Sequence, residues 1–143
     1  MPATTQAIEL TRLAAEAAAS KKGSDLVAFD VSEQLGITDV FLIVTATNER
    51  QVGAVVDAVE ERLLGRSTKP LVREGGRENR WVLLDYGDIV VHVQHSDERH
   101  LYALERLWRD CPRISLEGIE APVEDDEEDG PEPGLLAGER PGR

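Results

Sequence analysis

Residues 81–93 read WVLLDYGDIVVHV, Trp81 to Val93. Two β-branched, aliphatic runs flank Asp85-Tyr86-Gly87-Asp88, and Gly87 can take positive φ at no steric cost, so the segment is expected to fold into a hairpin. With Tyr86-Gly87 as a two-residue loop, Asp85 falls opposite Asp88, Leu84 opposite Ile89, Leu83 opposite Val90, Val82 opposite Val91 and Trp81 opposite His92. Alternation then puts Val82, Leu84, Ile89, Val91 and Val93 on one face. Trp81, Leu83, Asp85, Asp88, Val90 and His92 share the other. The first face is wholly aliphatic and suits a core. The second mixes an aromatic ring, an imidazole and two carboxylates. That mixture fits either a contact surface or a cross-strand Trp–His pair half covered by a helix.

Working outward, two more apolar stretches read as strands. They are Leu26 to Val31 and Val40 to Thr45, and the VFLIV run within the second has the unbroken hydrophobicity of a strand buried on both faces. Lys69 to Arg73 is a short fourth candidate beside the two hairpin strands. Thr4 to Lys22 is Ala-rich and stops at Gly23, which reads as a helix that packs closely. Asn48 to Leu64 is a second helix: Asn48 is the N-cap, Gln51 follows three residues on, and Val52, Val55, Val56, Val59 and Leu63 recur at helical spacing. Ser96 is expected to cap a last helix over Asp97 to Trp108, with Leu101, Leu104, Leu107 and Trp108 on one stripe and Pro112 beyond it. The pattern gives an α/β domain, a mixed sheet of about five strands flanked by helices.

The net charge is −12, and residues 120–143 hold nine acidic and two basic groups. Seven of the twelve net negative charges therefore lie in that segment and five stay with residues 1–119. An acidic domain lacks the basic patch that releases counterions from phosphate, so direct sequence-specific nucleic-acid binding is not expected. A basic protein is the better electrostatic match. The lone Cys111 excludes an internal disulfide. Met1 to Leu10 has neither a basic start nor an apolar core, and the apolar runs are too short to span a bilayer, so a cytoplasmic protein without membrane attachment is expected. No P-loop, dinucleotide fingerprint, Cys/His metal spacing or serine elbow is present, and no cofactor or metal is expected.

These residues resemble the ribosomal silencing factor family, also called RsfS or Iojap. The likeness rests on ITDVFLIVTATNERQV (Ile37 to Val52), on EGG followed by WVLLDYGDIVVHV (Glu74 to Val93), and on ERHLYALERLW (Glu98 to Trp108), in that order. It covers roughly residues 4–117. The resemblance implies a nucleotidyltransferase-like α/β fold without established catalysis. It also implies binding to the large ribosomal subunit through the basic protein conventionally numbered fourteen, a block on subunit joining, repression of translation under nutrient limitation, and a possible homodimer. Joined to the mixed face of the hairpin, it gives Trp81, Asp85, Asp88, Val90, His92 and Tyr102 as candidate partner-binding residues. The rival reading is a metal-dependent nucleotidyltransferase in which Asp85, Asp88 and His92 hold Mg²⁺.

The domain is assigned to residues 1–117 and an acidic tail to 118–143. From Glu120 onward there are four prolines, no aromatic residue and little apolar content, so ordering entropy is not offset by burial and disorder is expected. Deleting residues 120–143 should leave the thermal midpoint nearly unchanged. A drop of several degrees in a thermal melt would show that the tail packs on the domain.

Overall fold

The structure, a computed structural model, describes residues 2–75, 78–102 and 104–119, apart from the side chains of Leu101 and Tyr102. The acidic tail expected from Glu120 onward lies outside the described residues. The elements in order are helix α1 (Thr5–Ser20), strand β1 (Ser24–Asp30), the single turn α2 (Ser32–Leu35), β2 (Val40–Ala46), α3 (Glu49–Leu64), β3 (Val72–Glu74), β4 (Trp81–Asp85), β5 (Ile89–His95), α4 (Ser96–Tyr102) and a 3₁₀ turn (Leu104–Arg106). The five strands form one mixed sheet in the order β1-β2-β5-β4-β3. The central pair β2 and β5 runs parallel, and the other pairs are antiparallel.

Helices α1 and α3 pack together over one face of the sheet. The alanines of α1 explain the close approach: Ala7, Ala14, Ala15, Ala17 and Ala18 are all buried, and small side chains let the helix axis come near its neighbours. Thr4 caps α1 by accepting from the Ala7 amide at 3.0 Å. In α3, the Asn48 side chain accepts from the Gln51 amide at 2.8 Å. Gln51 in turn accepts from the Thr47 amide at 2.6 Å, and its Nε2 donates to Lys22 O at 2.9 Å, which pins the start of α3 to the end of α1. The expected valine row of α3 is wholly buried, and packing of this row offsets the poor helix propensity of valine.

The hairpin register differs from the sequence reading. Tyr86 donates its amide to Ile89 O at 2.9 Å, so Tyr86 is the last paired residue and the two-residue loop is Gly87-Asp88. Asp85 therefore pairs with Val90, Leu84 with Val91, Leu83 with His92, Val82 with Val93 and Trp81 with Gln94. Gly87, at φ +89°, takes the first loop position, and the Asp85 carboxylate accepts from its amide at 2.8 Å. The physical reason for the slip is Tyr86: its ring is only 8% exposed and joins the core, which a loop position would forfeit. The pairing moves by two residues, and the side-chain period is two. Val82, Leu84, Ile89, Val91 and Val93 thus still share the core face, and all five are fully buried.

Two further elements depart from expectation. The short edge strand starts at Val72, not Lys69, with Leu71 outside it and 73% exposed. Where it meets β4 the chain backbones touch: Gly75 has φ +84°, and a Cβ there would lie 2.0 Å from Trp81 O, so only glycine fits. The last helix ends at Tyr102 in place of running to Trp108. A straight helix from Asp97 to Trp108 would carry the chain roughly 18 Å away. The chain instead turns back to the β1 edge, where Asp30 N donates to Pro112 O at 2.8 Å and Ile114 N to Ala28 O at 2.9 Å. That turn leaves Leu107 70% exposed while Leu104 and Trp108 pack on the sheet. The expected Ser96 cap is replaced too: the Asp97 amide is capped by His95 Nδ1 at 3.0 Å.

Candidate functional site

Among the described residues, the sheet face opposite α1 and α3 is only partly roofed. Over β1 and β2 it is covered by Leu104, Trp108 and Cys111, packed against Phe29, Val31 and Ile43. Alternation brings Phe41 of β2, Val90, His92 and Gln94 of β5, and Trp81, Leu83 and Asp85 of β4 onto this same face. Four rings cross it in a row. Trp81 and His92 have centroids 6.1 Å apart; His92 and Phe41 meet edge to face at 5.2 Å; Phe41 and Trp108 do so at 5.2 Å. Trp81, Leu83, Phe41 and Trp108 are half-buried, and the apolar surface they leave exposed marks a strip along this face.

Beneath the strip lies a buried polar layer. The Trp81 indole N–H donates to His92 Nδ1 at 3.2 Å. An accepting Nδ1 fixes the neutral tautomer with the proton on Nε2. His92 is 5% exposed, and burial lowers its pKa from 6.5 to about 4. His92 Nε2 and both side-chain polar atoms of the fully buried Gln94 have no hydrogen-bond partner among the described residues.

The lowered pKa has a consequence for stability. Between pH 6.5 and about 4 the unfolded chain protonates at position 92 and the folded chain does not, so acidification through that window weakens the fold. At pH 5 the loss is expected to reach about 2 kcal/mol relative to pH 7. Thermal melts of the wild type and of His92→Gln at both pH values check this. Equal losses in the two proteins would show that another group titrates.

The sequence candidates fall into four groups. Trp81 is half-buried and stands at the β4 end of the ring row. His92 and Val90, the latter 6% exposed, support the strip from below. Asp85 and Asp88 do not face each other as a pair: Asp85 is half-buried and tied to the turn, and Asp88 is exposed in the loop. Tyr102 closes α4, and its side chain lies outside the described residues. Asp85, Asp88 and His92 are not brought together as the rival metal reading requires, and no group of three His, Cys, Asp or Glu side chains among the described residues is arranged to hold a metal ion. Sequence reasoning passed over Phe41, Leu83, Gln94 and Trp108 as site members. Phe41 was hidden inside an apolar run read as buried on both faces. Trp108 sits after the helix break, where periodicity no longer applies.

No helix among the described residues is long and apolar enough to cross a membrane. The family model described as ribosomal silencing factor during starvation matches residues 4–134. A ribosomal silencing factor from Halalkalibacterium halodurans is 40% identical over 111 residues, spanning 78% of this chain and 95% of that protein. A crystal structure of a protein from Chromobacterium violaceum superposes with a TM-score of 0.68 at 34% identity, covering 71% of this chain and 84% of the other. A mouse protein named for mitochondrial assembly of the ribosomal large subunit is 30% identical over 87 residues, 59% of this chain and 38% of its own length. With its mixed five-stranded sheet, its half-open aromatic face and these relatives, the chain belongs to the ribosomal silencing factor family.

Proposed function

We propose that this protein is a cytoplasmic, non-enzymatic regulator that docks on the large ribosomal subunit through the open sheet face, at the basic protein conventionally numbered fourteen. Bound there, it blocks joining of the small subunit and represses translation in nutrient-limited, stationary-phase cells. The observation that carries the reading is the ring row Trp81–His92–Phe41–Trp108, in which the buried His92 joins three half-buried aromatic rings, with Asp85 on the same sheet face and Asp88 exposed in the adjoining turn. Aromatic anchors with a polar rim are the usual energetic centre of protein interfaces, and acidic rims favour a basic partner. The mouse relative, named for assembly of the ribosomal large subunit, supports the choice of subunit. Away from the ribosome, the exposed Leu71 and Val72 at the β3 edge give a second copy adjacent apolar side chains to pack against, in keeping with a homodimer of the free protein.

Sedimentation of the purified protein with isolated large subunits tests the proposal. Co-sedimentation is expected, with a slower on-rate and weaker binding as ionic strength rises, because charge pairs at the rim are screened over roughly 8–10 Å at physiological salt. Binding to small subunits alone, or binding unchanged between low and moderate salt, would contradict the electrostatic docking face.

A further inference from the structure

A cavity of about 750 Å³ opens at the far end of the sheet from the hairpin turn, between β1, the end of β2, α4, the 3₁₀ turn and Arg113. It is separate from the aromatic strip, and the docking proposal makes no use of it. Three arginines line it: Arg99, Arg106 and Arg113, with His100 and Ser96 beside them. In a domain whose overall charge is negative, this concentration of guanidinium groups is anomalous.

Their partners show which of the three are committed. Arg99 is 9% exposed; its Nη1 donates to Thr45 Oγ1 at 2.7 Å and its Nε to Glu105 at 3.1 Å, so it is a fixed cation in the cavity wall. Glu105 is thereby engaged. Arg106 and Arg113 have no carboxylate partner among the described residues. Arg113 stands with its guanidinium carbon 5.5 Å from the centre of the Phe29 ring, which steadies the side chain without neutralising it. Asp25 is the remaining carboxylate of the lining, and it forms no ion pair with either arginine. Leu26 and Val27 add an apolar wall.

We infer that this cavity binds a small molecule carrying two or more phosphates. Arginine presents paired donors in a rigid fork that matches phosphate oxygens, and two unpaired forks beside a fixed third suit adjacent phosphates better than a single carboxylate. The volume falls in the range of small-molecule sites, and the apolar wall has room for the organic part of such a ligand. Concavity and the acidic remainder of the domain favour a compact anion over a nucleic-acid backbone, which needs an extended basic surface.

Calorimetric titration of the full chain with inorganic pyrophosphate at low salt tests the site. Saturable binding is expected. The double variant Arg106→Gln, Arg113→Gln should bind roughly tenfold or more weakly, as loss of charge-assisted hydrogen bonds requires. Arg109→Gln, an exposed arginine of the same segment outside the lining, should bind like the wild type, and thermal melts should show all variants folded. No saturable binding into the millimolar range would overturn the inference. Equal affinity of the double variant would do so as well. A single-stranded RNA without terminal phosphate that binds through Arg106 and Arg113 more tightly than pyrophosphate would overturn the assignment to a small ligand.

Discussion

Val91→Asp is expected to unfold the domain. Val91 is fully buried on β5, between Leu42 of β2 and Leu84 of β4, within the cluster that α1 and α3 build against the sheet. The substitution loses the burial of a valine side chain, about 1.5 kcal/mol or more. It also introduces a carboxyl among aliphatic groups with no donor near it, whether ionised and desolvated or protonated and unpaired, at a further cost of several kcal/mol. A domain of this size has only about 5–15 kcal/mol of stability to lose. Circular dichroism and a thermal melt check the result. A cooperatively folded Val91→Asp would contradict the assignment of faces.

Trp81→Ala has the larger effect on binding. Its indole lies on the open face and heads the ring row, and interface aromatics of that kind contribute about 2 kcal/mol or more, a loss of roughly thirtyfold in affinity. The variant is not silent for stability, because it removes the donor to His92 Nδ1 and leaves that buried nitrogen unpaired. A neutral hydrogen bond is worth about 1 kcal/mol, so the protein should remain folded. Trp81→Phe separates the two effects: it keeps the ring and loses the N–H, so it should recover most of the affinity and little of the stability. Affinities for the isolated ribosomal protein and melts of both variants check this. Full-strength binding by a folded Trp81→Ala would contradict the role of the strip.

The contrast between positions 91 and 81 was legible in the sequence because it depends only on alternation. The pairing was not, since Asp-Tyr-Gly-Asp admits two turns whose loops differ by one residue, whose pairings differ by two and which give the same faces. The choice between them was made by burial of Tyr86, a tertiary effect. Helix α3 was readable to its cap because Asn48, Gln51 and the valine row all act within the element. The end of α4 was not readable, because the pull on residues after it comes from hydrogen bonds at the β1 edge, far away in sequence. The candidate site was half-legible for the same reasons. Trp81 and His92 follow from the hairpin alone, whereas Phe41 and Trp108 join them only through the parallel β2–β5 pairing and the turn after α4.

Trp81 and Trp108 are the two tryptophans of the chain, and both stand in the ring row. Protein labelled with 5-fluorotryptophan therefore gives two ¹⁹F resonances, each a reporter placed on the open face. Titration with the isolated large-subunit protein numbered fourteen is expected to shift the Trp81 resonance in proportion to the bound fraction. A partner that binds while that resonance stays in place, or that does not bind at all, would contradict docking through this face.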